Sequence, residues 1–147
     1  MSSNVSLLTT PNSTGETEGV LLGRRIVVGL GLATTAAIHL LDLPGKIEET
    51  PYLGVAYILL IVAALVIAER VFTNGTQIDF VAAALLSFSA LLAFTVNRTV
   101  GMPYATGDIG NWLEPLGLLS LAVEGFVLWQ ATAAIVMIRR GATISAH

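Results

Sequence analysis

The stretch YLGVAYILLIVAALVIAERVF, residues 52–72, carries no charged side chain before Glu69. About 20 predominantly apolar residues suffice to cross a hydrocarbon layer as a helix. Three further runs have the same character, at 26–43, 78–96 and 112–138. The expected fold is therefore all-α, a four-helix transmembrane bundle forming one domain over residues 21–140. Composition agrees: 54% of residues are hydrophobic, 12% are charged and the mean hydropathy is +0.80. Soluble domains typically hold roughly a quarter charged residues.

Working outward from the spans, residues 1–19 are polar, carry Glu16 and Glu18, and contain no basic side chain. A signal peptide would open on positive charge and run directly into a short apolar segment. Residues 1–20 therefore read as a disordered cytoplasmic tail, and 141–147 as a second tail. Arg24 and Arg25 precede the first span, and Asn74-Gly75 marks a tight reversal between the second and third. With the N-terminus inside, Arg24, Arg25, Arg70, Arg139 and Arg140 lie on the cytoplasmic side and only Lys46 and Arg98 outside. The positive-inside rule then places both termini in the cytoplasm. Two outward connections result, 42–51 and 97–111. They share a faint likeness, EETPYLG in one and WLEPLG in the other, each setting an acid and a proline before a Leu-Gly step. Gly29, Gly31, Ala82 to Ala84 and Gly117 are small enough to let helices approach closely.

Several function classes fall away. The absence of cysteine excludes thiolate metal sites, iron–sulfur clusters and thiol catalysis. A net charge of −3 and no basic cluster longer than two residues argue against nucleic acid. The only other histidine is the terminal His147, which argues against bis-histidine haem and against a serine–histidine hydrolase. No repeated ring of acids suggests a channel.

Six polar residues remain as ligand-binding candidates: His39, Asp42, Arg98, Asp108, Glu114 and Glu124. Thr35, His39 and Asp42 follow one another at helical spacing and share a face. His39 is the single in-span histidine available for metal ligation or proton transfer; it could equally serve as a hydrogen bond between helices. Arg98 ends the third span, where a long basic side chain can also snorkel to the headgroups, and Asp108 and Glu114 are its expected partners. Glu114 has a structural reading of its own, because Asn111-Trp112-Leu113-Glu114 fits a capping box. Pro115 then falls in the first turn, and Trp112 anchors at the interface. Glu124 lies ten residues further along, roughly 15 Å deeper at 1.5 Å per residue. A carboxyl near the midplane must be protonated, paired or turned to a wet interior. Ser87, Ser89, Thr34 and Thr35 fall in a similar layer, and Gly117, Leu121 and Glu124 share a face.

The segments HLLDLPGKIEETPYLG, from His39, and NRTVGMP with DIGNWLEPLGLLSLAVEG, from Asn97 and Asp108, resemble a group of small four-span actinobacterial membrane proteins. The resemblance covers about residues 25–140. It implies residence in a bacterial plasma membrane and assigns no catalytic residue.

Two functions follow from these residues. The first is non-enzymatic: an accessory or interaction subunit of a larger membrane complex or homo-oligomer, with a polar outward surface. The second is a ligand-binding or redox protein whose candidate residues surround an outward-open cleft for a quinone-like molecule or a metal ion.

Overall fold

A computed structural model of the chain describes residues 13–144. It contains four helices, α1 (Ser13–Glu49), α2 (Pro51–Thr73), α3 (Gln77–Thr99) and α4 (Pro115–Ile144), and no strand among the described residues. All four are long and apolar enough to cross a membrane. The chain is a small multi-pass membrane protein built as a four-helix bundle. The helices close into a ring: α1 packs on α2, α2 on α3, α3 on α4 and α4 back on α1, with α2–α3 the slightest of these contacts.

The helix ends differ from the sequence expectation in three places. Ser13 to Val20, expected in a disordered tail, form the first turns of α1, while residues 1–12 lie outside the described residues. At the other end of α1 the expected connection 42–51 is helical as far as Glu49, straight through Pro44. Only Thr50 separates α1 from α2, whose first residue is Pro51, where a missing N–H costs nothing. Tertiary contacts hold this extension against its Pro-Gly composition. Ile47 lies against Gly54, where any Cβ would collide with it, and Lys46 reaches Asp108 across the bundle at 3.1 Å. Finally, α4 starts at Pro115 rather than near Trp112 and runs on to Ile144, beyond the expected stop at 138; residues 145–147 lie outside the described residues.

The half of the bundle holding the chain termini and the α2–α3 turn is closed by packing. Val28, Leu32, Val71, Phe80, Val127, Ala131 and Ala134 form a buried apolar cluster. The small residues act as anticipated: Gly29 accepts the ring of Phe72, Gly31 accepts Val127, and Ala83 is fully buried. Polar groups at this end seal backbone ends. Arg25 donates to the carbonyls of Val71 (3.1 Å), Phe72 (2.7 Å) and Thr73 (3.0 Å), satisfying the orphan acceptors at the end of α2. Thr76 and Asp79 form a reciprocal capping box that starts α3, and Arg70 pairs with Asp79 at 2.8 Å.

Candidate functional site

At the opposite end, the 100–114 segment crosses over the bundle as a series of tight turns. Gly101 and Gly110 adopt left-handed backbone, φ +83° and +78°. Pro103 and Tyr104 form the corner of a turn closed by hydrogen bonds between Met102 and Ala105. Tyr104 takes φ +60°, a conformation that glycine would normally supply. The Gly110 N–H returns to the carbonyl of Arg98 at 2.9 Å, and Tyr52 of α2 donates its hydroxyl to the carbonyl of Pro103 at 2.7 Å.

The expected capping box at Asn111 is not formed. Asn111 and Trp112 lie in turns whose N–H groups bond to Asp108 and Gly110. Glu114 directly precedes Pro115, and its carbonyl accepts the Leu118 N–H at 2.9 Å. Its carboxylate is drawn to Arg98 instead. A charge-assisted bond to a buried guanidinium is stronger than one to a neutral backbone N–H, so the ion pair wins.

Arg98 is the centre of this end. It is only 3% exposed, pairs with Asp108 at 2.7 Å and with Glu114, and its guanidinium lies 5.0 Å from the centre of the Phe94 ring. The expected Arg98–Asp108–Glu114 set is therefore assembled. Asp108 also accepts from Asn97 at 3.0 Å and from Lys46 at 3.1 Å. Partial burial works to raise its carboxyl, but the bonds from Asn97, Lys46 and Arg98 outweigh burial and hold it down at about 2. Lys46 and Arg98 are thus both buried and matched by carboxylates.

Beneath this network lies a cavity of about 180 Å³, bounded by all four helices. His39, Asp42, Arg98 and Glu114 line it together, as do Lys46, Tyr57, Asn97 and Ser120. Tyr57 donates its hydroxyl to Asp42 at 3.0 Å and meets the His39 ring edge-on, centroids 4.9 Å apart. The His39 Nδ1 lies 2.9 Å from the Thr35 carbonyl. A carbonyl can only accept, so this nitrogen carries a hydrogen and the neutral ring presents the Nε2 lone pair.

Glu124 sits just below the cavity, 1% exposed, with its Oε1 3.8 Å from His39 Nε2. That separation exceeds a hydrogen bond, and the carboxyl's direct partner is the Ser120 hydroxyl at 2.9 Å. Imidazole with carboxylic acid and imidazolium with carboxylate are both neutral overall. The pair can therefore hold one proton without placing a net charge in the apolar interior. Thr35 and Ser87 share this buried layer, and neither hydroxyl has a partner. Ser89 and Thr34, expected in the same layer, are exposed and bond back to Leu85 and Leu30 of their own helices.

Comparison with family models, curated proteins and solved structures finds no match.

Four of the six candidates line the cavity, Asp108 braces it from above and Glu124 lies under its floor. Sequence reasoning missed Lys46, Tyr57, Asn97 and Ser120. Ser120 precedes Glu124 by four residues and was legible from helical spacing. Tyr57 has only its hydroxyl to betray it within an apolar run, and Lys46 lay in a segment read as connection. Among the described residues, no three His, Cys, Asp or Glu side chains gather closely enough to hold a metal ion.

Proposed function

We propose that this protein is a membrane-embedded binding protein of the bacterial plasma membrane, with both termini in the cytoplasm. In this reading its outward half holds the polar head of a small molecule. One observation carries it. In a bundle built mainly from Ala, Leu, Val and Ile, two adjacent residues of α3 on the cavity wall, Asn97 and Arg98, each keep a buried polar atom without a partner, Oδ1 and Nε. An orphaned buried polar atom costs about 1–3 kcal/mol. A donor and an acceptor orphaned together beside an enclosed space favour a guest that offers both.

The opposite half supports the same reading, because the apolar cluster beneath Glu124 closes the cavity below. A cavity sealed below by packing fits binding better than conduction. Among the two ligand types anticipated, an oxygen-bearing organic molecule suits the walls better than a metal ion, for which no gathered ligand set is present among the described residues.

An accessory-subunit role has one specific feature in its favour. Tyr104 and Leu113 stand 97% and 82% exposed on the crossing segment, beyond the helix ends where lipid would cover them. Binding and subunit roles are compatible.

Mass spectrometry of small molecules extracted from gently purified protein tests the binding reading. The parent carries a stoichiometric compound that His39→Ala and Tyr57→Phe lose while remaining folded. Purified parent with no bound compound, from native membranes and in mild detergent, would contradict it.

A further inference from the structure

The cavity is too small for a whole ligand. Pockets that enclose drug-sized molecules run from about 300 to 1,000 Å³, whereas this one is about 180 Å³. An apolar cavity of about 150 Å³ is known to take benzene, so the space suits one substituted six-membered ring. Anything larger must leave the cavity, and its walls indicate where. Ala56 of α2 and Ala93 of α3 both line the cavity and both are exposed on the outside of the bundle. They face each other across α2–α3, the slightest of the four helix contacts. Ala56 is five residues from the start of α2 and Ala93 six from the end of α3. At 1.5 Å per residue each lies roughly 8–9 Å along its helix from the loop end, within one leaflet. The opening therefore faces lipid.

The chemistry of the walls restricts the head. The loop end carries five acids, Asp42, Glu48, Glu49, Asp108 and Glu114, against two bases, Lys46 and Arg98, and both bases are already paired. A phosphate or carboxylate head would meet an unfavourable field. An uncharged head with oxygen acceptors and hydroxyl donors would find the Arg98 Nε–H, the Asn97 Oδ1 and the His39 Nε2 lone pair.

Resting on the binding reading above, we propose that the cavity receives an uncharged ring of the quinone–hydroquinone class sideways from the bilayer, its apolar chain lying between α2 and α3 past Ala56 and Ala93. The hydroquinone form supplies hydroxyl donors to Asn97 and His39, and an oxygen of either form, carbonyl in the quinone and hydroxyl in the hydroquinone, accepts from Arg98. No electron transfer is required for binding.

The test uses the full-length protein in lipid nanodiscs and two probes, a decyl-substituted benzoquinone and the same ring without the chain. Binding is read by quenching of Trp112, whose ring meets the cavity residue Phe94 at 6.1 Å. The parent binds both probes. Ala93→Phe, at an exposed position where folding is not at stake, weakens the decyl probe at least about tenfold more than it weakens the chainless ring. Ala56→Phe gives the same pattern. Equal loss of both probes, or no loss of either, overturns lateral access while leaving the ring site standing. A parent that binds neither probe, yet carries another extracted compound that His39→Ala loses, overturns the ligand class and spares the binding reading.

Discussion

The two ends of this bundle use the same kinds of side chain to opposite effect. At the terminal end, Arg25 is consumed by three backbone carbonyls, Arg70 by Asp79, and Arg24 gives a 2.5 Å bond to Gln130. Beneath them the apolar cluster leaves no polar residue to serve. At the loop end, Arg98 is buried among carboxylates beside a cavity. Charges that finish helices close one end. Charges from α1, α3 and the crossing segment that brace one another roof a cavity at the other.

The largest test of that contrast is removal of the two arginines in turn. Arg98→Leu leaves Asp108 and Glu114 facing each other without their shared cation, and should cost about 3–5 kcal/mol, read as a sharply lowered unfolding midpoint in detergent. Arg70→Leu removes a guanidinium that is 52% exposed from a buried carboxylate that keeps its two Thr76 bonds and should cost less, about 1–2 kcal/mol. Equal losses would erase the distinction between the ends.

Packing is the next discriminator. Gly29→Leu drives a side chain into Phe72 in the closed half and should cost about 1–3 kcal/mol. Gly125→Ala adds a Cβ that meets nothing within 4 Å and should leave stability equal or raise it by up to about 1 kcal/mol. Thermal unfolding of the pair decides whether the closed half is as tightly filled as described.

Capping gives a smaller effect and separates the helix starts. Thr76→Ala removes the working capping box of α3 and should cost about 1 kcal/mol. Asn111→Ala removes the residue that the sequence nominates as a cap but that caps nothing, and its midpoint should match the parent's.

Much of this was legible in the sequence, and the reasons are local. Four spans follow from run length, and the shared face of Thr35 and His39 and the inward turn of Glu124 from helical period, whereas depth alone could not separate Ser87 from Ser89 or Thr35 from Thr34. The Arg98 partners follow from the need to neutralise a cation set among apolar residues. The continuation of α1 through Pro44 was not legible, because Pro-Gly-Lys reads as a break and the forces that override it, Ile47 on Gly54 and Lys46 on Asp108, join residues distant in sequence. The same holds for Glu114: the local pattern names a capping box, and only the folded chain brings Arg98 within reach.

The smallest effect expected is on pH. The Asp108 carboxyl is held at about 2 in the folded protein, below its ordinary value near 3.9. Its contribution to stability is therefore complete above roughly pH 4 and is lost as pH falls through about 2. Asp108→Asn should flatten the acid limb of a stability–pH profile in that window while leaving neutral stability lower throughout. An unchanged acid limb would show that Asp108 is not held by its three donors.

The most direct test of an open loop end above a closed terminal end uses the cysteine-free chain as its own blank background. Single substitutions Ser120→Cys, on the cavity wall, and Ala134→Cys, in the apolar cluster, are exposed in native membranes to a small membrane-permeant thiol reagent. Ser120→Cys, which borders the cavity, should label in the folded protein, and Ala134→Cys should remain unlabelled until the protein is denatured. Labelling of both at similar rates, or of Ala134→Cys alone, would contradict the account.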